Sequence, residues 1–281
     1  MNKFFEITEI DQYDEPRTGG LKECLDNWKS QERFLFVSPH DDDAVLGGGL
    51  MMQAALDAGA EVNLLIVTDG SMGYCSLEEK DTIARIRKAE SFESYKKIGL
   101  PAENIAWMGI PDCRVNLYRG KIPADESEPG FMSGFTGLQN AFTYYLRKIR
   151  PTRIFVPTSA DLHPDHKFVH EELLISIFHA SESIWPELGS PYPAVDKVYE
   201  MGVYCDFPEM PDIQLKADES SLKTKMAAIR EFKSQKQISS LIEIVEKNGP
   251  FEFFRRVEYE LYQPIKYVNF FENLNNEVNY E

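Results

Sequence analysis

Two runs without a polar residue, Phe34-Leu35-Phe36-Val37 and Leu64-Leu65-Ile66-Val67, most restrict what this chain can become. A strand with one wet face alternates apolar and polar residues, whereas a strand covered on both faces can be apolar throughout. Residues 33–37 and 61–67 therefore read as strands buried inside a sheet, and 152–156 is a similar run. Between them lie a helical pattern over 46–58 ended by Gly59, a long charged helix over 77–98 stopped by Gly99 with Pro101 beyond, and a short strand at 105–108. This βαβ rhythm predicts an α/β fold: a Rossmann-like, doubly wound, mostly parallel sheet with helices on both faces. Further along, 138–150, 166–179 and 222–233 read as helices, 196–204 as a fifth strand and 256–262 as an edge strand. A short helix is expected over 21–28. One domain over 1–281 is expected, with the parallel strands near 33, 61, 105, 153 and 197 in one sheet.

The chemistry concentrates just past two of these strands. Ser38-Pro39-His40-Asp41-Asp42-Asp43 follows the first, and His163-Pro164-Asp165-His166 follows the run at 152–156. The chain has five histidines, and three stand in these two segments beside four aspartates. Imidazole nitrogen with carboxylate oxygen suits Zn²⁺ or Fe²⁺, and His40 and Asp43 are spaced to reach one ion. The third ligand must then come from the second cluster. In an open parallel sheet with right-handed crossovers, the loops after the strands emerge at one edge, so two clusters distant in sequence can meet. Three acidic residues in a row also suit a helix N-terminus, where carboxylates complement the dipole, and both readings can hold together.

Pro39-His40-Asp41-Asp42-Asp43 before a glycine-containing helix start, with His163-Pro164-Asp165-His166 downstream, resembles the PIG-L (LmbE-like) metal-dependent N-deacetylases. The first signature of that family usually reads His-Pro-Asp-Asp-Glu. Here Asp41 stands for its proline and Ala44 for its glutamate, while the second signature matches throughout. Thr68-Asp69-Gly70, Arg87 with Glu90, Gly109-Ile110-Pro111-Asp112 and Ser234-Gln235 extend the resemblance over roughly 33–262. It implies removal of acetyl from an N-acetylglucosamine-type amide, with His40, Asp43 and His166 holding the metal. Zn²⁺ is the expected ion, with Fe²⁺ or another divalent transition metal accepting the same ligands. Asp42, between two ligands, is placed to take a proton from water; His163 is placed to donate to the oxyanion or the leaving amine, with Asp165 orienting it. Arg87 and Asp112 acquire a role only through the resemblance, as contacts to sugar hydroxyls or a brace for the metal loop. An ion pair between Arg87 and Glu90 along one helix is the ordinary alternative.

Other residues receive smaller roles. His170, one turn after His166, is expected at the surface or behind the ligands, and His179 receives none. Gly47-Gly48-Gly49 lacks the pattern of a phosphate loop and reads as close helix packing. Tyr74, Trp107 and Tyr118 can stack on a sugar ring. The Gly- and Pro-rich stretch 112–136 reads equally as a wall of the cleft or as a mobile insertion.

Composition narrows the partners. A formal net charge of -16 repels nucleic acid and anionic lipid heads alike. Four scattered cysteines without a Cys-x-x-Cys read as reduced thiols of a cytoplasmic protein. The acidic start is not a secretory signal, and no stretch is apolar for long enough to span a bilayer. The expected partner is a small molecule or glycoconjugate carrying an N-acetylated amino sugar. Two other classes stay open: a non-catalytic carbohydrate-binding protein, and an Fe(II) enzyme of the two-histidine, one-carboxylate type.

Overall fold

The computed structural model describes residues 3–10, 15–193, 195, 197–258 and 262–278. In chain order it has β1 (Phe5–Ile10), β2 (Pro16–Gly19), α1 (Leu21–Cys24), β3 (Arg33–Ser38), α2 (Asp43–Asp57), β4 (Glu61–Thr68), α3 (Ile83–Ile98) and β5 (Ile105–Ile110). There follow β6 (Ile122–Pro123), β7 (Phe135–Thr136), α4 (Leu138–Ile149), β8 (Arg153–Pro157), α5 (Pro164–Ser181) and β9 (Val198–Met201). The last elements are β10 (Ile213–Ala217), α6 (Glu219–Ile229), α7 (Ser239–Asn248), β11 (Phe251–Arg256) and α8 (Pro264–Val278).

Nine strands form one sheet in the order β2-β1-β10-β11-β9-β8-β3-β4-β5. The five expected strands, now β3, β4, β5, β8 and β9, are its parallel part. The order reverses at β3, flanked by β4 and β8, and the loops that leave β3 and β8 there diverge into a crevice. Consecutive side chains of the apolar runs point to opposite faces, so each run feeds two cores. Phe34, Phe36, Leu64 and Ile66 pack with α2, α3 and α6; Leu35, Val37, Leu65 and Val67 pack with α4 and α5.

Several elements differ from expectation. The helix over 77–98 is a 3₁₀ turn at Leu77–Glu79 followed by α3, and the helix expected at 46 starts at Asp43. The strand expected over 256–262 is β11, which ends at Arg256 and lies between β9 and β10 rather than at an edge; residues 259–261 lie outside the described residues. Of the strand expected over 196–204, β9 covers Val198–Met201, and residue 196 is likewise outside the described residues. β1, β2, β10 and β11 add an antiparallel part that the apolar runs do not announce.

Asp112 and Cys113, at the start of the stretch 112–136, are among the walls of the cleft at the sheet edge, and the part after them is not a loose insertion. It is folded against α5: Glu172 accepts from Arg119 Nε at 2.9 Å and from the backbone N–H of Gly120 at 2.8 Å. Gly47 and Gly48 do serve close packing. A Cβ on Gly47 would lie 2.9 Å from the carbonyl oxygen of Gly202, and one on Gly48 would lie 2.8 Å from the Phe36 ring. At Gly48 (φ -139°, ψ 17°) α2 kinks, and the carboxylate of Glu252 accepts from the N–H groups of Leu50 and Met51 beyond the kink at 2.7 and 2.9 Å.

Candidate metal centre and active-site cleft

The turn after β3 is held by its own side chains. Ser38 Oγ donates to the carbonyl of His40 and accepts from Ala44 N–H at 3.0 Å. Asp43 Oδ2 accepts from the backbone N–H of His40 at 2.7 Å, which turns the carboxylate back toward the imidazole of that residue. After β8, Asp161 Oδ1 accepts from His163 N–H at 2.9 Å, and Pro164 at the first helical position starts α5 with Asp165 and His166 in its first turn. β5 ends one residue before Pro111-Asp112. All these groups lie at the carboxyl ends of parallel strands.

Three atoms converge. His40 Nδ1 is 3.2 Å from Asp43 Oδ2, His166 Nε2 is 3.1 Å from the same oxygen, and the two nitrogens are 3.2 Å apart. Zinc bonds of about 2.0–2.2 Å in a tetrahedral site separate neighbouring ligand atoms by about 3.4 Å, so this triangle is close to metal-ready. The far nitrogens are backed by carboxylates. His166 Nδ1 lies 3.0 Å from Asp161 Oδ2; His40 Nε2 lies 3.2 Å from Asp112 Oδ1 and 3.5 Å from Asp165 Oδ2. Donation from those nitrogens leaves a lone pair on each inner one, the arrangement typical of metal-bound histidine. Two lone pairs and a carboxylate oxygen facing each other at this distance repel unless a cation stands between them. Asp43 Oδ1 and Asp42 Oδ1 are buried without a hydrogen-bond partner among the described residues, which also fits a centre that supplies positive charge.

The electrostatics agree. Burial opposes charge on His40, but the carboxylates of Asp43, Asp112 and Asp165 outweigh it and hold the imidazole well above its usual range. Burial opposes charge on His166 too, yet Asp43 and Asp161 raise its pKa to about 9. A site that favours a proton on both rings favours a dication in the same place. Two other groups of three also gather ligand atoms within 4.8 Å of one another: His40 with His163 and His166, and His40 with Asp112 and Asp165. The first triangle is the more deeply buried.

Asp42 stands beside it. Burial pushes its carboxyl up to about 7, Arg87 pulls it down, and Asp43 and Asp41 add to the rise. Arg87 does not pair with Glu90. Its guanidinium crosses to Asp41, with Asp42 Oδ1 3.5 Å away, while Glu90 accepts from Ser234 N–H and Oγ at 3.0 and 2.6 Å. Asp41 also accepts from Ser91 Oγ at 3.1 Å, and its carbonyl accepts from Tyr95 Oη at 2.8 Å. Asp41 thus replaces the proline of the resembling signature with a buried anchor for Arg87.

His163 is half-buried at the rim, its ring edge-on to His40 at 4.6 Å between centroids. Its Nδ1 accepts from Asp165 N–H at 3.3 Å, so Nε2 carries the proton of the neutral ring. Burial and the neighbouring His40 and His166 lower its pKa. The carboxylate of Asp165 does not orient His163; it lies on His40 and accepts from Cys113 N–H at 2.9 Å. Burial works against ionised Asp112, yet its bond to His40 holds it down to about 2. His170 is buried behind the site, with Nδ1 3.1 Å from the carbonyl oxygen of Pro157 and Nε2 3.8 Å from Glu200.

A cleft of about 400 Å³ opens onto this chemistry, and His40, Asp42, Arg87, Asp112, His163 and Tyr204 are among its walls. Tyr74, Trp107 and Tyr118 do not line it. Trp107 packs on Phe92 at 4.9 Å between centroids beneath Lys88, and Tyr118 packs against the core on the α5 side. Tyr204, which no motif marks, is the aromatic at the cleft and lies nearly parallel to the His166 ring at 5.0 Å. Asp161 is the other residue missed. Its signal was its place two residues before His163, where a carboxylate can turn back onto the following helix.

Fold and site together define an α/β protein with a candidate metal centre at the carboxyl edge of a parallel sheet. The chain belongs to the PIG-L family: the family model described as GlcNAc-PI de-N-acetylase matches residues 35–176, half of the chain. A similar relative is the 1D-myo-inositol 2-acetamido-2-deoxy-alpha-D-glucopyranoside deacetylase 2 of Saccharopolyspora erythraea, 27% identical over 178 residues, which are 59% of this chain and 64% of the relative. The chain thus spans less than two thirds of the length of the curated relatives it matches. Among solved structures, the conserved protein TT1542 from Thermus thermophilus aligns with TM-score 0.63 and 23% identity over 82% of this chain and 97% of its own. The N,N'-diacetylchitobiose deacetylase of Pyrococcus horikoshii aligns with TM-score 0.61 and 23% identity over 84% and 90%. At that identity the likeness establishes the fold.

Proposed function

We propose that this chain is a divalent-metal-dependent hydrolase that removes acetyl from the amide of an N-acetylated amino sugar, free or in a glycoconjugate. The observation that carries this reading is the triangle of His40 Nδ1, Asp43 Oδ2 and His166 Nε2, with a carboxylate behind each ring. Membership of the PIG-L family and the names of the relatives point to the same substrate class. Zn²⁺ is the ion we assign, Fe²⁺ being the alternative with the same ligands. A bound dication supplies Lewis acidity toward the acetyl carbonyl and makes water easier to deprotonate.

The remaining work belongs to the protein. Asp42, one of whose buried oxygens takes no hydrogen bond among the described residues, takes the proton of the attacking water. His163, neutral and protonated on Nε2, donates a hydrogen bond to the oxygen that gains charge, and the proton taken up by Asp42 passes to the departing amine. Arg87 and Asp112, on the cleft wall, position the sugar hydroxyls. The residues around the sheet act as a single catalytic domain, and four scattered cysteines without a Cys-x-x-Cys support a cytoplasmic setting. Among the described residues no helix is long and apolar enough to cross a membrane.

Metal analysis combined with amine release from N-acetylglucosamine and its conjugates tests the reading. One divalent ion per chain and metal-dependent amine release are expected, with His166→Ala losing both. Sugar binding without amine release in the metal-loaded protein would make it a binding module. Full metal occupancy in the His166→Ala protein at limiting metal would dissolve the ligand set.

A further inference from the structure

Back to back with the catalytic cleft lies a second cavity of about 300 Å³, and Tyr204 and Leu241 belong to the walls of both. The Tyr204–Leu241 ridge therefore stands between the two. The second cavity is lined mainly by apolar side chains, among them Leu46, Val203, Phe207, Ile244, Val245 and Phe253. Ile244 is 60% exposed, so an aliphatic side chain meets water at the mouth of the cavity.

Lys225, Glu252, Asp206 and Asn248 on its walls each have a partner. Lys225 Nζ and Glu252 Oε1 pair at 2.7 Å, and Glu252 also takes the two N–H groups of α2. Asp206 accepts from Phe207 N–H at 2.8 Å, and Asn248 Nδ2 donates to the Phe251 carbonyl at 2.9 Å. Such a cavity offers dispersion and dehydration to a ligand and few hydrogen bonds. An anion gains nothing there, since Lys225 is held by Glu252 and the chain carries a net charge of -16.

We propose that this cavity is a subsite for an uncharged apolar group carried by the amino-sugar substrate, seated across the Tyr204–Leu241 ridge from the amide. This deepens the deacetylase reading and rests on it. The apolar group can be an alkyl or aryl substituent at the anomeric carbon or a long chain on the amide side, and the test separates these sources. Each methylene buried there improves binding about three- to fourfold.

In the metal-loaded full chain, kcat/KM for amine release is compared for the methyl and hexyl β-glycosides of N-acetylglucosamine and for the methyl glycoside of N-hexanoylglucosamine. The expected result is a roughly ten- to hundredfold lower KM for one of the two hexyl-bearing substrates than for the methyl glycoside. Ile244→Glu, an exposed change outside the catalytic residues, is expected to abolish that gain while leaving the methyl glycoside unaffected. Equal KM values for all three substrates, or a gain that persists in Ile244→Glu, would overturn the subsite and leave the deacetylase reading intact. If no substrate releases amine, the deacetylase reading falls, and calorimetric titration with the hexyl glycoside decides the subsite alone. Binding weakened by Ile244→Glu supports it; no binding, or binding indifferent to the change, overturns it.

Discussion

Asp41, Asp42 and Asp43 have identical side chains and three different surroundings. Asp43 faces two imidazole nitrogens, Asp42 has a buried oxygen that takes no hydrogen bond among the described residues, and Asp41 is spent on Arg87 and Ser91. Asp43→Asn is therefore expected to weaken metal binding, because a neutral amide is a poorer donor to a dication. Asp42→Asn should keep the metal and lower kcat by roughly 10²- to 10⁴-fold, the usual loss for a proton-transfer group. Metal content and kcat measured on both variants check this, and the opposite pattern exchanges the roles. Arg87 is a matter of stability as well. Both it and Asp41 are nearly excluded from water, so Arg87→Ala leaves a buried carboxylate uncompensated and should cost about 3–5 kcal/mol in chemical denaturation. Arg87→Lys should recover only part, since an ammonium reaches one partner where a guanidinium can span two. A loss under about 1 kcal/mol for Arg87→Ala would mean that water reaches Asp41.

Strand β9 shows how a single element ties the site to the rest of the sheet. Glu200 accepts from Ser159 N–H at 2.9 Å, in the loop toward the candidate metal centre, and from Arg255 Nε at 2.8 Å across the β9–β11 register. Burial works against the ionised Glu200, yet Ser159 and Arg255 outweigh it and hold the pKa below the ordinary range. A depressed carboxylate contributes stability that is present above its unfolded pKa and is lost as pH falls through the folded one. Glu200→Gln should therefore cost about 1–3 kcal/mol at neutral pH, with the gap to the parent narrowing below about pH 5. A gap independent of pH between about 3 and 7 would show that the charge on Glu200 is not what matters. The parallel strands and the edge where the proposed ligands meet were legible because strands covered on both faces must be apolar throughout. The antiparallel ones were not. In β10, Ile213, Leu215 and Ala217 alternate with Gln214 and Lys216, but five residues before a helix cap are too few to stand out. In β11 the buried positions are Glu252 and Phe254, because Glu252 closes the kink of α2, so polarity and burial are inverted there and the strand signal moves downstream. Of the candidate site, the proposed ligand residues stood in motifs, whereas Asp161 and Tyr204 join it through contacts that only the folded turn creates.

The sheet as a whole divides into a parallel part that carries the site and an antiparallel part that closes one flank, and the two termini relate to it in opposite ways. β1 pairs with β10 over five residues, Ile7 is fully buried in the core beside α1, and Glu9 joins Arg17 at 2.5 Å and also Arg256 of β11. Asp218, the N-cap of α6, accepts from Phe4 N–H at 2.9 Å. Removing residues 1–19 would therefore open the β10 edge, empty the place of Ile7 and leave a strand free to pair with another chain. At about 2–4 °C per kcal/mol for a chain of this size, the truncated protein should lose about 10 °C or more in Tm, or aggregate. In α8 the opposite holds for the described side chains: Ile265, Val268, Phe270 and Phe271 are each 46–61% exposed, so their removal takes away little buried surface. The variant lacking 264–281 should stay within about 2 °C of the parent. Metal stoichiometry per folded chain should survive both changes, because β1 is separated from β8 by β10, β11 and β9. Thermal scans of the two truncations beside the full chain decide the matter. If loss of 264–281 destabilised the protein as much as loss of 1–19, α8 would have to cover a surface in solution, and its apolar side chains would be the place to look for a partner copy.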